Sequence, residues 1–314
     1  MQGGRKKVFI DGSAGTTGLR IKDRLSARPD IELILLPEEE RKNDEARREA
    51  IEASDISFLC LPDDAARETA EMMTDSDTVI IDTSTAHRTA EGWTYGFPEL
   101  SGGAQRELIK KSKRISNPGC HASGFIALVA PLVECGLIKK DIELCCFSLT
   151  GYSGGGKKMI ADYEKPELPE ALAAPRQYGL MQSHKHLKEM QAVTGIETAP
   201  LFCPIVSSYY SGMQVSIPIF AKDISGGVED IKHIYSKYSG MIKYCEHMDE
   251  EGFISASKMG GRDDMLISVV GNDERIVLMA VFDNLGKGAS GAAIQNMNNV
   301  LGIDEGMGLI AEDL

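Results

Sequence analysis

Short, nearly uninterrupted apolar runs alternate with amphipathic stretches through the first third of the chain. Lys7 to Asp11, Ile31 to Leu36, Ile56 to Leu61 and Val79 to Asp82 read as strands; Thr16 to Ala27, Asp44 to Ala53 and Asp63 to Met73 read as helices between them. Strands that alternate with covering helices predict a parallel sheet, buried on both faces and therefore apolar along its strands. After Cys120 the runs lengthen. Glu143 to Leu149, Met213 to Phe220 and Met265 to Asp283, the last broken at Gly271-Asn272-Asp273, predict a mixed or antiparallel sheet. Ala292, Ala293, Ile294, Met297 and Val300 recur at near-helical spacing within Gly286 to Leu301, which predicts a closing helix packed back on the first domain. The expectation is an α/β domain over 1–118, an α+β domain over 119–285 and a returning helical tail over 286–314.

Composition narrows the partners. At 314 residues, 42% hydrophobic and 26% charged, the chain has the makeup of an ordinary globular protein with room for two cores. Its longest uncharged apolar run, Phe125 to Val133, falls well short of the ~20 residues that span a bilayer. The opening Met-Gln-Gly-Gly-Arg-Lys-Lys leads directly into Val8-Phe9-Ile10 without the apolar stretch of a signal peptide, so the expected location is the cytoplasm. The seven cysteines are scattered, with no Cys-x-x-Cys pair, which argues against a disulfide framework or a structural metal and for mostly buried thiols. A net charge of -13 disfavours nucleic acid and anionic membranes, so any phosphate site must be a local pocket.

Two segments carry candidate chemistry at strand-to-helix junctions. Gly12-Ser13-Ala14-Gly15-Thr16-Thr17-Gly18 follows the first strand, where glycines let backbone N–H groups and a helix N-terminus approach a pyrophosphate. A plain glycine turn is the alternative. At the end of the second strand Glu38 can accept from a ribose hydroxyl, implying NAD, whereas Arg41 and Lys42 can hold a 2′-phosphate, implying NADP; a solvated charged turn is the third reading. Farther on, Asn117-Pro118-Gly119-Cys120 joins a short strand, Arg114 to Ser116, to an apolar helix. A thiol at a helix start has its anion stabilised by the free N–H groups, which makes Cys120 the candidate nucleophile, while Cys60, Cys145 and Cys146 read as small buried hydrophobes.

A thiolate needs a proton acceptor, and His184-Lys185-His186 supplies two. If that segment is helical, His186 and Glu189 share a face and the carboxylate can orient the imidazole; His184 is the less favoured base, and a charged surface helix is the plain alternative. Gly151-Tyr152-Ser153-Gly154-Gly155-Gly156-Lys157-Lys158 matches part of a nucleotide-triphosphate loop, but Lys158 stands where magnesium requires a hydroxyl. Gly155 and Lys157 then suit a smaller anionic substrate, or the segment is a flexible loop. Arg88, after a strand end, fits either a substrate carboxylate or a structural ion pair.

Seven ordered segments resemble one family: Gly12 to Gly18, Leu61 to Ala66, Ser84 to Arg88, Asn117 to Cys120, Gly151 to Lys157, His184 to His186 and Asp283 to Gly291 are similar to the shorter type of N-acetyl-gamma-glutamyl-phosphate reductase. The resemblance runs from residue 7 to about 302. It implies a Rossmann-like NADP domain, a glyceraldehyde-3-phosphate-dehydrogenase-like catalytic domain and a homodimer or homotetramer. It implies reduction of N-acetyl-L-glutamyl 5-phosphate by NADPH through a Cys120 thioester, with release of phosphate, in arginine biosynthesis. It also implies cofactor contacts at Cys60, Leu61, Pro62, Ser84 and Asn284 and substrate contacts at Arg88, Asn117, Gly155 and Lys157. The chain departs from the family's Cys-Tyr-Pro-Thr by reading Cys120-His121-Ala122-Ser123, with His121 expected to fill the tyrosine's space, and it lacks the proline the family places before Glu189. The rival readings are an aspartate-semialdehyde type of reductase and an NADP-binding sensor without chemistry.

Overall fold

A computed structural model describes residues 4–312. In chain order the elements are β1 (Lys6–Asp11), α1 (Thr16–Ser26), β2 (Ile31–Ile34), α2 (Asp44–Glu52), β3 (Ile56–Leu59), α3 (Asp63–Met72), β4 (Val79–Asp82), β5 (Thr94–Tyr95), α4 (Ala104–Ile109) and β6 (Arg114–Ser116). Next come α5 (Cys120–Glu134), β7 (Cys145–Gly151), α6 (Gly156–Tyr163), α7 (Glu170–Ala173), β8 (Arg176–Gln177) and α8 (His186–Thr194). The chain finishes with β9 (Leu201–Ser207), β10 (Met213–Phe220), α9 (Val228–Tyr235), β11 (Ile242–Tyr244), β12 (Met265–Gly271), β13 (Arg275–Phe282) and α10 (Gly291–Leu301). Two compact units result. One comprises the chain up to Phe97, Arg106–Pro118 and Ala289–Leu309; the other comprises Pro98–Gln105, Gly119–Gly288 and the segment from Ile310 on.

The first unit is built on a six-stranded sheet of order β2-β1-β3-β4-β6-β5 in which every pairing is parallel. One side buries Val8, Ile10, Ile56, Phe58, Ile81 and Ile115 against Ile21 and Leu25 of α1 and Ala293, Ile294 and Met297 of α10. The other side buries Phe9, Leu59 and Ile80 against Ala50 and Ile51 of α2 and Met73. Helices on both faces explain the continuous apolar strands. The edge strand β2 is shorter than expected: it stops at Ile34, and Leu35 is 54% exposed. The closing helix also differs from expectation, with Gly286–Ser290 forming a wide π turn before α10 begins at Gly291.

The second unit holds a seven-stranded mixed sheet of order β11-β12-β13-β10-β7-β9-β8. β7 and β9 pair in parallel, as do β11 and β12, and the other pairs run antiparallel. Alternation along β7, β9 and β10 buries Cys146, Ser148, Phe202, Val215 and Ile217 on one face and leaves Phe147, Leu201 and Phe220 exposed on the other. That alternation corrects the expectation for the cysteines. Cys145 points to the open face and is exposed, as is Cys135, and of the seven only Cys146 is fully buried. Against the covered face lies α5, whose Phe125, Ile126, Leu128, Val129 and Leu132 are fully buried. Each such side chain stabilises by ~1.5–3 kcal/mol, which makes α5 a core helix with a fixed seat. Gly124 permits that seat, since a Cβ there would come within 2.6 Å of Val215 and 2.9 Å of Phe282. Among the described residues no helix is long and apolar enough to cross a membrane.

Candidate active site

In the first unit the expected glycine turn stands between β1 and α1. Gly12 has φ +81°, and a Cβ on it would fall 2.3 Å from the Cys60 carbonyl oxygen; one on Gly18 would fall 2.5 Å from that of Gly12. Both positions therefore require glycine. Gly15 is the N-cap of α1, no side chain caps the helix, and Ser13, Thr16 and Thr17 are partly exposed while Ala14 is exposed. A cradle of this kind, with backbone N–H groups turned out at a helix start, fits the pyrophosphate of a dinucleotide. Cys60 abuts the turn through its backbone, its N–H donating to Asp11 O, and burial pushes its thiol up to about 12. Leu61 is half-buried and Pro62 caps α3. Arg41 and Lys42 are both exposed in the turn after β2.

Other candidates are held by local bonds. Ser84 donates to Asp82 Oδ2 at 2.7 Å, and the same carboxylate oxygen meets His87 Nδ1 at 2.6 Å. Arg88 donates to the carbonyls of Asn117 at 2.9 Å and Thr83 at 3.2 Å, so it braces the Asn117-Pro118 turn against the end of β4. The Asn117 amide is likewise engaged, donating to Ala289 O at 3.0 Å and accepting from Asn296 Nδ2 at 3.1 Å.

In the second unit the side chains converge at two helix starts. Cys120 is the first residue of α5 and His186 the first of α8, and these helices pack together. Cys120 Sγ and one ring nitrogen each of His121 and His186 all lie within 4.8 Å of one another. Cys120 is partly exposed, His186 is 5% exposed and His121 is 3% exposed. Gly119 caps α5 and has no side chain of its own to accept the first-turn N–H groups, which are directed at the thiol end. Glu189 is 2% exposed, and its Oε1 accepts the Gly119 N–H at 2.8 Å. The carboxylate thus holds the peptide that presents Cys120, a task not foreseen from the His186 spacing. His184 is half-buried, its ring 4.8 Å from that of His186; its Nδ1 accepts the His186 N–H at 3.3 Å. Burial, then the neighbouring Lys185 charge, lower its pKa.

Three groups around Cys120 extend this set. His121 does not merely fill space: its Nδ1 lies 2.6 Å from Ser148 Oγ and its Nε2 2.7 Å from Tyr178 Oη. Burial, reinforced by His184, pushes the His121 pKa down to about 3. Burial and the Cys120 charge raise the Tyr178 phenol well above its usual value. Neither Ser148 nor Tyr178 carried a sequence signal; both arrive through the sheet, from β7 and from just beyond β8. The remaining candidates sit elsewhere. Lys157 is exposed, Gly155 packs on Met159, and the expected loop is a 3-10 turn leading into α6, with Tyr152 stacked on Tyr163 at 4.8 Å. Asn284 is buried and bonds within the second unit, to Gly212 N–H at 2.9 Å and Ser153 Oγ at 3.0 Å.

Comparison with known proteins gives a family match for each half of the chain. The family described as "Semialdehyde dehydrogenase, NAD binding domain" matches residues 7–111, and "Semialdehyde dehydrogenase, dimerisation domain" matches residues 120–284. N-acetyl-gamma-glutamyl-phosphate reductase of Brucella anthropi is 43% identical over 310 residues, covering 95% of this chain and 99% of that protein. The chain belongs to the N-acetyl-gamma-glutamyl-phosphate reductase family. A second member, N-acetyl-gamma-glutamyl-phosphate reductase 2 of Nostoc sp., is 40% identical over 321 residues, with 97% and 99% of the two chains covered. Among solved structures, aspartate semialdehyde dehydrogenase II of Vibrio cholerae superposes with a TM-score of 0.72 at 15% identity, over 95% of this chain and 99% of that one. This family therefore shares its fold with the aspartate-semialdehyde enzymes at a distance where sequence no longer speaks for substrate.

Proposed function

We propose that this chain is an NADPH-dependent reductase that converts N-acetyl-L-glutamyl 5-phosphate to N-acetyl-L-glutamate 5-semialdehyde and phosphate in arginine biosynthesis. The observation that carries the reading is the approach of Cys120 Sγ and a His186 ring nitrogen to within 4.8 Å at the starts of two packed helices. Membership of the reductase family supports the substrate. The first unit, with Gly12 to Gly18 and the neighbouring Cys60-Leu61-Pro62, is the dinucleotide site in this reading; Arg41 and Lys42 supply the charge for a 2′-phosphate, and Ser84 adds a further contact.

The chemistry follows from the residues. His186 accepts the thiol proton, and the α5 N-terminus stabilises the Cys120 thiolate. Sγ attacks the acyl carbon, the S–C bond forms, the C–O bond to phosphorus breaks, and phosphate leaves with the bonding electrons, giving a thioester on Cys120. Bound NADPH supplies hydride. When the thioester collapses to the aldehyde, the C–S pair returns to Cys120. Glu189 keeps the Gly119 peptide, and with it the nucleophile, in place. Arg88 and Asn117 fix the turn before Cys120, and Gly155 and Lys157 are assigned to the substrate's anionic end.

The reading includes a homodimer or homotetramer, supported by the dimerisation-domain match and by the apolar face presenting Phe147, Leu201 and Phe220. It places the protein in the cytoplasm, where thiols stay reduced; all seven cysteines are free. The test is a reverse assay following NADPH formation from N-acetylglutamate semialdehyde, NADP and phosphate. Phosphate-dependent turnover that vanishes in Cys120→Ser supports the reading. A folded, NADP-binding wild type that turns over aspartate semialdehyde instead removes it.

A further inference from the structure

His121, where this chain departs from its family's tyrosine, sits in a hydrogen-bond chain whose direction is determined by burial. Ser148 Oγ is completely buried, and among the described residues its hydrogen-bond partner is His121 Nδ1 at 2.6 Å. Held neutral by burial, the imidazole carries a single N–H. With that proton on Nδ1, the ring would donate to Ser148 and leave the serine O–H buried without an acceptor, a state costing ~1–3 kcal/mol. With the proton on Nε2, Ser148 donates to Nδ1 and Nε2–H donates to Tyr178 Oη at 2.7 Å, so the one O–H left over is that of Tyr178, which is half-buried where Ser148 is fully buried. The phenol oxygen is then occupied as an acceptor, so the Tyr178 O–H must point away from His121. The reacting centre is close by: Cys120 Sγ lies within 4.8 Å of one His121 ring nitrogen, and the Cys120 charge acts on the Tyr178 phenol.

We propose that Ser148 and His121 are positioning residues of a one-way hydrogen-bond relay that makes Tyr178 a catalytic donor to the acyl oxygen of the substrate on Cys120. The proposal rests on the reading of Cys120 as nucleophile. Each time the acyl carbon becomes tetrahedral its oxygen gains negative charge, and an O–H aimed at that oxygen stabilises the charge without giving up its proton. The phenol remains an O–H because its burial and the nearby thiolate oppose ionisation. A tyrosine at position 121 has no ring nitrogen with which to set this direction, so the device belongs to the histidine.

Two measurements test it. Ring 15N–1H spectra of the folded enzyme, with the His121 signals assigned by their absence in His121→Gln, report which nitrogen is protonated; a bare Nδ1 and a protonated Nε2 are expected at neutral pH. In kinetics, Tyr178→Phe lowers kcat by about 10²-fold with little change in KM, the scale of a lost oxyanion donor. Ser148→Ala lowers kcat by roughly 5- to 10-fold in the wild-type background and has no effect in Tyr178→Phe, because it acts only through that hydroxyl. A serine needed merely for packing would cost the same in both. A protonated Nδ1, or equal losses from Ser148→Ala in the two backgrounds, overturns the relay while leaving the reductase reading intact if wild type turns over. Absence of wild-type turnover on N-acetylglutamate semialdehyde removes that reading, and with it the assignment of the acyl oxygen, whatever the tautomer.

Discussion

The glycine turn of the first unit and the Cys120 turn of the second are the same local device. In each, a strand runs into a glycine that caps a helix with no side chain of its own to accept the first N–H groups: Gly15 before α1 and Gly119 before α5. Each therefore presents unsatisfied N–H groups and the positive end of a helix. What separates them is the company they keep. Around α1 the chain supplies backbone and glycine, a surface suited to receiving phosphates. Around α5 it supplies a thiol, three imidazoles, a carboxylate and a phenol, most of them buried. One helix start binds and the other reacts, and the difference lies in side chains brought from distant parts of the sequence.

The sharpest way to break this contrast is to remove the reacting atom. Cys120→Ser should lower kcat by about 10³-fold or more while dinucleotide binding and thermal stability stay at wild-type values, as read by assay, NADPH fluorescence titration and melting curves. The reciprocal change is Gly12→Ala. With φ +81° and a Cβ 2.3 Å from the Cys60 carbonyl, it should weaken NADP binding by at least about tenfold and destabilise the first unit by ~1–3 kcal/mol, leaving the alkylation rate of Cys120 unaltered. Altered alkylation in that variant would contradict the separation of the two sites.

A smaller effect is expected at Glu189. Glu189→Ala removes the acceptor of the Gly119 N–H, a charge-assisted bond worth ~1.5–3 kcal/mol, and should cost roughly tenfold in kcat with NADP affinity unchanged. An unchanged kcat would mean that Cys120 is positioned without the carboxylate. The last signal leaves activity aside and concerns acid stability. Because burial holds His121 at about 3 against an ordinary 6.5, its neutral form contributes stability that is complete above about pH 6.5 and is lost as pH falls toward 3. Over that window the unfolding free energy of wild type should fall relative to His121→Gln by up to about 1.4 kcal/mol per pH unit. Parallel acid limbs would show that His121 is not buried as a neutral ring.

Much of the scaffold was legible because periodicity is local. Val79–Asp82, Arg114–Ser116 and Met213–Phe220 begin and end where their apolar runs do, and α5 starts at Cys120 as the Pro-Gly turn predicts. The misses have tertiary causes. β5 and β8 are only two residues each and owe their existence to neighbouring strands. Cys145 is exposed since β7 buries alternate residues on one face of the sheet, a fact that resides in the sheet and not in the run Cys145 to Leu149. At the site, Cys120 and His186 announce themselves by residue type and position. Ser148 and Tyr178 cannot, being an ordinary strand serine and an ordinary loop tyrosine until pairing of β7 with β9 and of β8 with β9 brings them to His121.

The central claim is that the reaction passes through Cys120, and a trapping experiment addresses it without intermediaries. Enzyme mixed with N-acetyl-L-glutamyl 5-phosphate in the absence of NADPH, quenched in acid and digested, would be read by mass spectrometry. An N-acetylglutamyl adduct on the peptide containing Cys120, formed with release of phosphate and discharged on adding NADPH, is the predicted result. Turnover by an enzyme that never carries that adduct on Cys120 would contradict the account.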